Sequence, residues 1–584
     1  MSKQRIERVD SIPLIVYWLK KMRVQEIVDA VWHPHTNWKG LSYGQLAVLF
    51  LTYVLYMRTH RLSQMEDWVR EHRTVLEQAT GWEIGDKDTT DDRLAILLDA
   101  IGEDEEQNVQ FQRQLGQHLI QAYELPTEVA RYDTTTFSVH HNPSKTGKSS
   151  EGIMSFGKSK DGRPDLPQFK QGLGTLDPAG VPLLTTTVPG NAADDPLYIP
   201  AWREMAQIIG HKEFLYVADC KAAALATRGT IEYEGGHYLF PLPMTGDVPN
   251  LLAEWVFEPP VKPEPIYLEG VTDKHGEPRK VGCGFVIERE MEVELEDGST
   301  HRWAEQWMVT QSTAHARRQR KALRARLDKA DRALKRLKPK KEESAAELQA
   351  RAEQILHRYK ITDLISVTVE ETVVHQKQYL NPGRPTPDSP YEIVEQRQLQ
   401  LHRQHNVAAI ERQLRLAGWR IYVSNVQMSL NQSIVYYRGE WLVEHGFHRF
   451  KKGSVPVSPL WIRIPKRIRG LMFLLMVALQ ALTLLEFVAR RELKDRQETI
   501  AGLVPGNPKM KTDRPTAERM LAQFSNLHLL VEETNAQTTA HLVEALTPLQ
   551  RRILALLHIP ETIYDLTFSR KMPEPKFHNS TLID

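Results

Sequence analysis

Apolar and polar residues change their pattern several times along this chain. Up to about Leu98 the apolar residues form helical runs such as LAVLFLTYVLYM and MEDWV. Ser42 with Gln45, and Ser63 with Glu66, stand ahead of them at capping-box spacing. A compact helical domain is expected there. Between about Glu124 and Leu225 the pattern becomes that of strands. VARYDTTTFSV is β-rich, and FKQGLGTLDPAGVPLLTTTVPG reads as a hairpin through Asp177-Pro178-Ala179-Gly180. EFLYVAD is a nearly continuous apolar run, as a strand buried on both faces requires. With a helix at about Pro196 to Ile209, the order strand, strand, strand, helix, strand predicts a small α/β domain with a mixed sheet.

From about Thr230 to Gln311 a second β-rich block follows. Met291, Val293 and Leu295 alternate with Glu290, Glu292 and Glu294, and Asp297-Gly298 supplies a turn. Between Ala316 and Lys341, thirteen basic residues stand against two acidic ones. There Leu323, Leu327, Ala330, Leu334 and Leu337 recur at spacings of 4, 3, 4 and 3, which predicts a basic helix packed on a partner such as AAELQARAEQILHRY and ended by Pro339. ITDLISVTVEETVV and GWRIYVSN return to strand character. From Tyr436 the chain reads as mostly helical through GLMFLLMVALQALTLL (470–485). That run is shorter than the roughly 20 residues that span a bilayer. Gln480 interrupts it and Glu486 closes it, so it is expected to be a core helix, with no membrane partner.

Composition narrows the function classes only a little. At 584 residues the chain needs several domains, and 41% hydrophobic against 26% charged residues excludes global disorder. The formal charge is +1, so a nucleic-acid surface must come from local segregation of charge. Cys220 and Cys283 form no CxxC pair, which argues against a zinc module or a disulfide framework. With no secretory leader pattern at the N-terminus, a cytoplasmic location is expected.

Candidate chemistry rests on carboxylates. Asp133 lies inside a β-rich segment, where burial of its charge needs an offset such as a metal, although an edge-strand or turn aspartate reads the same way. The apolar FLYVA run carries Asp219 to the carboxyl end of a buried strand, where open α/β sheets bind ligands; an N-cap for AAALAT is the alternative. Tyr437, Glu444 and Lys451 are seven residues apart, so one continuous helix would align a hydroxyl, a carboxylate and an amine.

These segments together resemble the DDE transposases of bacterial insertion sequences, in the group marked by a Tyr-Arg-Glu-Lys signature. Its spacing, Y-x2-R-x3-E-x6-K, falls on Tyr437, Glu440, Glu444 and Lys451, with Glu440 where the family has arginine. GKSKDGRPDLPQFKQGL, PGNAADD, VADC, RYDTTT and PKRIRGLMFLLMVALQALTLLE resemble the subgroup that carries a long insertion between its second aspartate and its glutamate.

The resemblance implies a ribonuclease-H-like core in two parts, 123–225 and 416–495. A β-rich and helical-hairpin insertion at 226–415 would separate them. A helical domain for DNA-end binding or dimerisation (1–122) would precede the core, and a C-terminal helical region and tail (496–584) would follow it. It implies Asp133, Asp219 and Glu444 as catalytic ligands of Mg²⁺ or Mn²⁺, held as a pair of ions, with Tyr437 and Lys451 on DNA phosphates and no such role for Glu440. Arg317, Arg318, Arg320, Lys321 and Arg324 are expected to hold DNA. The expected reaction is cleavage at terminal inverted repeats and strand transfer by a homodimer. The alternatives are a ribonuclease-H-like nuclease and a DNA-binding descendant without activity. Asp161, Arg163 and Asp165 are read as ordering a loop, His140 and His141 as surface residues, and Trp303 and Trp307 as sheet packing rather than base stacking.

Overall fold

The computed structural model describes residues 3–140, 152–295, 298–380, 382–387, 389–534 and 537–571. It is a mixed α/β chain that divides into two compact units. The first comprises Met1–Phe240, Met291–Trp303 and Tyr436–Asp584; the second comprises Pro241–Glu290 and Ala304–Val435.

The first unit is organised by five strands: β1 (Val129–Ser138), β2 (Gln168–Leu176), β3 (Val181–Pro189), β4 (Leu215–Ala218) and β5 (His237–Pro241). Their order across the sheet is β3-β2-β1-β4-β5. β1, β2 and β3 are antiparallel neighbours, while β4 runs parallel to both β1 and β5. The four residues of β4, LYVA, are all buried, as expected of an apolar run flanked on both sides by parallel strands. The hairpin turn at 177–180 falls where the sequence places it, between β2 and β3.

Helices cover both faces of this sheet. α1 (Tyr198–Ile209) meets β1 through Tyr198 and Tyr132, whose rings stand edge to face at 5.7 Å. Near Tyr436 a helix α2 (Leu430–Arg438) ends and α3 (Trp441–Lys452) begins. Phe450 of α3 meets Phe137 of β1 at 6.5 Å. Residues 131, 133, 135 and 137 alternate with 132, 134 and 136, so the α3 side is the Asp133 side.

α4 (Pro465–Asp495) is long and apolar enough to cross a membrane by length and composition, yet 94% of its most apolar window is buried. Gln480 is satisfied there by donating to the Pro182 carbonyl at 2.8 Å. Gly470 allows close approach to the helix Asp91–Glu103, because a β-carbon on it would lie 2.2 Å from the Leu98 carbonyl oxygen.

The N-terminal region contains seven helices between Ile12 and Tyr123. The Ser42–Gln45 capping box forms; the one expected at Ser63–Glu66 does not, because Ser63 lies inside a 3-10 turn that runs directly into the helix Met65–Glu71. The region is not wholly helical. Lys3–Arg8 is a strand paired with His528–Glu533, more than five hundred residues away. Gln537–Leu542 and Phe568–Lys571 extend that sheet, so the expected helical C-terminal region is instead a sheet with the short helices Ala517–Ala522 and Pro548–Leu556. A short apolar run such as LHLLVEE fits either a strand or a helix by periodicity.

The second unit carries strands in the order Trp419–Ser424, Thr300–Ser312, Pro278–Glu294, Glu264–Thr272. The basic helix is Thr313–Arg336, and its Leu323, Leu327, Ala330 and Leu334 pack on Ala352 and Leu356 of Ala345–Tyr359, as the spacing predicts. A ribbon of Ile365–Tyr379 with Tyr391–His405 follows.

The unit boundaries differ from the expected insertion at 226–415. Residues 226–240 and the hairpin end Met291–Trp303 cluster with the first unit, and 416–435 with the second. The hairpin end is held by Trp303, which donates to the Tyr238 hydroxyl at 2.9 Å, and by His301 on Glu232. Of its expected turn, Asp297 lies outside the described residues. Trp303 and Trp307 are both buried, as sheet packing requires.

Candidate active site

The register of the two parallel strands brings Asp133 and Asp219 together. β1 and β4 pair from Val129 with Leu215 to Tyr132 with Ala218, and the next residue on each is an aspartate. Neighbouring strands lie about 4.8 Å apart, so the two carboxylates project from adjacent positions. Both line one small cavity, together with Arg131, Tyr132, Val217, Ala218, Tyr437, Glu440 and Val443.

Each aspartate is held by its surroundings. Asp219 Oδ1 accepts from the Tyr198 hydroxyl at 2.5 Å and from the Lys221 backbone N–H at 2.9 Å. The latter is a local turn. The helix after it starts at Leu225 with Ala224 as its N-cap, which removes the N-cap reading of Asp219. Asp133 accepts from the Thr134 N–H at 2.7 Å, and Lys160 Nζ stands 3.6 Å from its Oδ1. Burial pushes the Asp133 carboxyl above its ordinary range; Lys160 and the Thr134 N–H oppose this, and the charges of Asp219 and Asp194 add to it.

Behind Asp133 lies a second layer of charge. Thr134 donates to Asp194 at 2.9 Å, and Lys170 Nζ meets the same carboxylate at 2.6 Å. Burial raises the Asp194 carboxyl, but the Lys170 ammonium and the Thr134 hydroxyl outweigh it and leave the group below its usual range. Asp194 lies in the PGNAADD turn and Lys160 in the SKD segment, so both segments reach Asp133 or the residue beside it.

The helical part departs from the expectation. Tyr437 does not share a helix with Glu444 and Lys451, because the chain breaks at Gly439-Glu440. There the backbone bonds tighten to Gly439 N–H on Tyr436 O (3.2 Å) and Glu440 N–H on Tyr437 O (3.1 Å). Arg131, 2% exposed and paired with Asp177 at 2.5 Å, donates to the Tyr436 carbonyl and fills the space beside Gly439. A β-carbon on Gly439 would lie 2.2 Å from Arg131 Nη2.

As a result Glu440 faces the cavity, whereas Glu444 is exposed and absent from its lining. Burial raises the Glu440 carboxyl. The Tyr437 hydroxyl, donating to it, opposes that, and Asp133, Glu444 and Asp219 add to it. Lys451 reaches the loop rather than the cavity: its Nζ pairs with Asp161 at 2.6 Å and sits over the Phe137 ring. Arg163 and Asp165 pair with each other at 2.7 Å on the surface, in keeping with a loop-ordering role. His140 is exposed, and His141 lies outside the described residues.

The donor set suits a hard divalent cation, since three carboxylates line one cavity and no thiol or imidazole does. Among the described residues, however, no three such side chains are already gathered as a metal site. In the second unit, Arg317, Arg320, Lys321 and Arg324 line an open hollow of about 580 Å³ with Thr313, Ala325 and Asp328. Arg318 is exposed on the same helix but does not line it.

Sequence reasoning missed Glu440, Lys160, Arg131 and Tyr198. Lys160 and Arg131 had a sequence signal in the SKD and RYDTTT segments, Glu440 stood at a signature position but was given no role, and Tyr198 had none.

No protein-family model matches the chain, and no curated protein matches it in sequence. Among solved structures, that of the piggyBac transposase synaptic complex with hairpin DNA is similar over 90% of this chain and 82% of that one, with a TM-score of 0.35 and 8% identity, which is a distant likeness.

Proposed function

We propose that the chain is a DDE-type DNA transposase that cuts at the ends of an insertion sequence and joins them to target DNA. The observation that carries the reading is the alignment of Asp133, within β1, with Asp219, just past the end of β4, where the parallel pairing of the two strands stops, with Glu440 at the start of α3 on the same cavity. The strand order β3-β2-β1-β4-β5, with the first three strands antiparallel and the last two parallel to β1, supports a ribonuclease-H-like core.

In this reading Asp133, Asp219 and a carboxylate from the start of α3 hold Mg²⁺ or Mn²⁺. Such ions, when bound, activate the attacking oxygen and stabilise the leaving one. The remaining work belongs to the protein. Tyr198 and the Lys221 N–H fix the orientation of Asp219, and Lys160 and the Thr134 N–H fix that of Asp133. Fixed orientation matters because in-line displacement at phosphorus depends on positioning. The exposed Glu444 and the half-buried Lys451 lie on α3, where DNA approaching the cavity meets them; Tyr437 meets it at the cavity itself. The basic helix Thr313–Arg336 supplies phosphate contacts, and two copies of the chain pair two DNA ends.

The test is strand joining. Purified protein with Mg²⁺ or Mn²⁺ and duplex DNA taken from the borders of its own gene should yield joined strands as well as nicks. Hydrolysis without joining would assign a nuclease instead, and no reaction with intact binding a silent DNA-binding descendant.

A further inference from the structure

Glu440 stands where the resembled family has arginine, and the surrounding geometry gives that exchange a meaning. The break between α2 and α3 turns Glu440, rather than Glu444, onto the cavity shared with Asp133 and Asp219. The break is built in: Gly439 is the residue that fits against Arg131, and Arg131 in turn holds the Tyr436 carbonyl and Asp177. The free volume between these side chains is roughly 10 Å³, the scale of a single water-sized body.

A second observation is independent of the carboxylates. Arg131 lines the same cavity and is 2% exposed, yet its Nη1 has no hydrogen-bond acceptor among the described residues. A buried donor left over in this way is open to an oxygen that the protein itself does not supply. Water or a phosphate oxygen carried by a cation would provide one. Arg131, from β1, is the buried positive charge on this cavity, and Glu440 is the carboxylate that the start of α3 turns onto it.

We propose that Glu440 is the third cation-holding carboxylate of the DNA-free protein, beside Asp133 and Asp219. This assignment rests on the reading of the cavity as a divalent-cation site. Tyr437, donating to Glu440, is its positioning residue. Glu444, one turn further along α3, is left for the DNA-bound state.

The experiment is direct titration of the DNA-free full chain with Mn²⁺, following free ion by electron paramagnetic resonance. Wild type should bind Mn²⁺ saturably. Asp133→Asn should abolish that binding. Glu440→Gln should weaken it by about tenfold or more, whereas Glu444→Gln should stay within about twofold of wild type. Glu440→Ala, which also removes the Tyr437 acceptor, should match Glu440→Gln or bind more weakly still, and matched thermal unfolding shows that the variants are folded.

If Glu440→Gln binds as wild type does while Asp133→Asn does not, the role of Glu440 is overturned and the cation-site reading stands. If wild type shows no saturable binding, or Asp133→Asn binds normally, the cation-site reading itself fails and the proposal with it.

Discussion

Arg131 and Gly439 are in direct contact: the guanidinium occupies the space a side chain at 439 would need, 2.2 Å from the position of its β-carbon. This contact sets where α3 begins, and therefore which carboxylate reaches Asp133 and Asp219. Gly439→Ala favours a continuous helix by propensity but overpacks the Arg131–Asp177 pair. Overpacking costs about 1–3 kcal/mol, more than the helix gain of about 1 kcal/mol, so the variant should be less stable in urea unfolding. Unchanged or increased stability would show that the contact does not set the break.

The end of α3 is anchored by a buried ion network. Arg449, 2% exposed, pairs with Glu486 and, at 2.9 Å, with Glu518, which also accepts from Ser454 at 2.8 Å. Arg449→Ala leaves the partly buried Glu518 without its cation and the buried Glu486 with Arg490 alone, and should cost about 3 kcal/mol in chemical denaturation. A loss below about 1 kcal/mol, the scale of a surface pair, would contradict the network's role.

The same network gives a signed pH dependence. Burial raises the Glu518 carboxyl, but the charge and hydrogen bonds of Arg449 outweigh it and hold the group at about 2. A carboxylate depressed in the folded state contributes stability above its unfolded pKa and loses it as pH falls towards the folded one. Wild type should therefore exceed Glu518→Gln in stability near neutrality, and the gap should close between the ordinary glutamate range and about pH 2. A gap constant across that window would refute the assignment.

For Asp133 the sign is opposite. Its carboxyl is raised, so the folded state without metal resists ionisation, and the stability tied to the protonated form is lost as pH rises through the folded value. In chelator at neutral pH, Asp133→Asn should melt at or above the wild-type temperature, and added Mn²⁺ should raise the wild type alone. A variant that melts well below wild type in chelator would mark Asp133 as structural.

DNA binding by the basic helix is testable through salt. Replacing Arg317, Arg320, Lys321 and Arg324 with glutamine should flatten the dependence of log affinity on log salt by about 0.9 for each phosphate no longer neutralised. An unchanged slope would exclude this surface from the interface.

Much of the first unit was legible in the sequence because its signals are local. The FLYVA run, the Asp177-Pro178-Ala179-Gly180 turn and the β-rich VARYDTTTFSV each specify one strand or turn, and burial of both faces of β4 leaves Asp219 at its end. What stayed hidden depends on partners distant in the chain. Lys3–Arg8 has no apolar pattern and is a strand only through residues 528–533. Tyr391–His405, with Gln, Arg and His along it and almost no burial, offers no periodicity to read. Glu440 could not be preferred over Glu444 on spacing, since the seven-residue alignment holds only if the helix continues through Gly439. The reason it does not is Arg131, some three hundred residues earlier.

The central claim, that Asp133 and Asp219 form the catalytic pair, is tested most directly by cutting of gene-border DNA with Mg²⁺ or Mn²⁺, comparing wild type with Asp133→Asn and Asp219→Asn. The account predicts nicks that leave 3′-hydroxyl ends with wild type, and none above background with either variant, although both still bind the DNA. Cutting by either variant at the wild-type rate would contradict it.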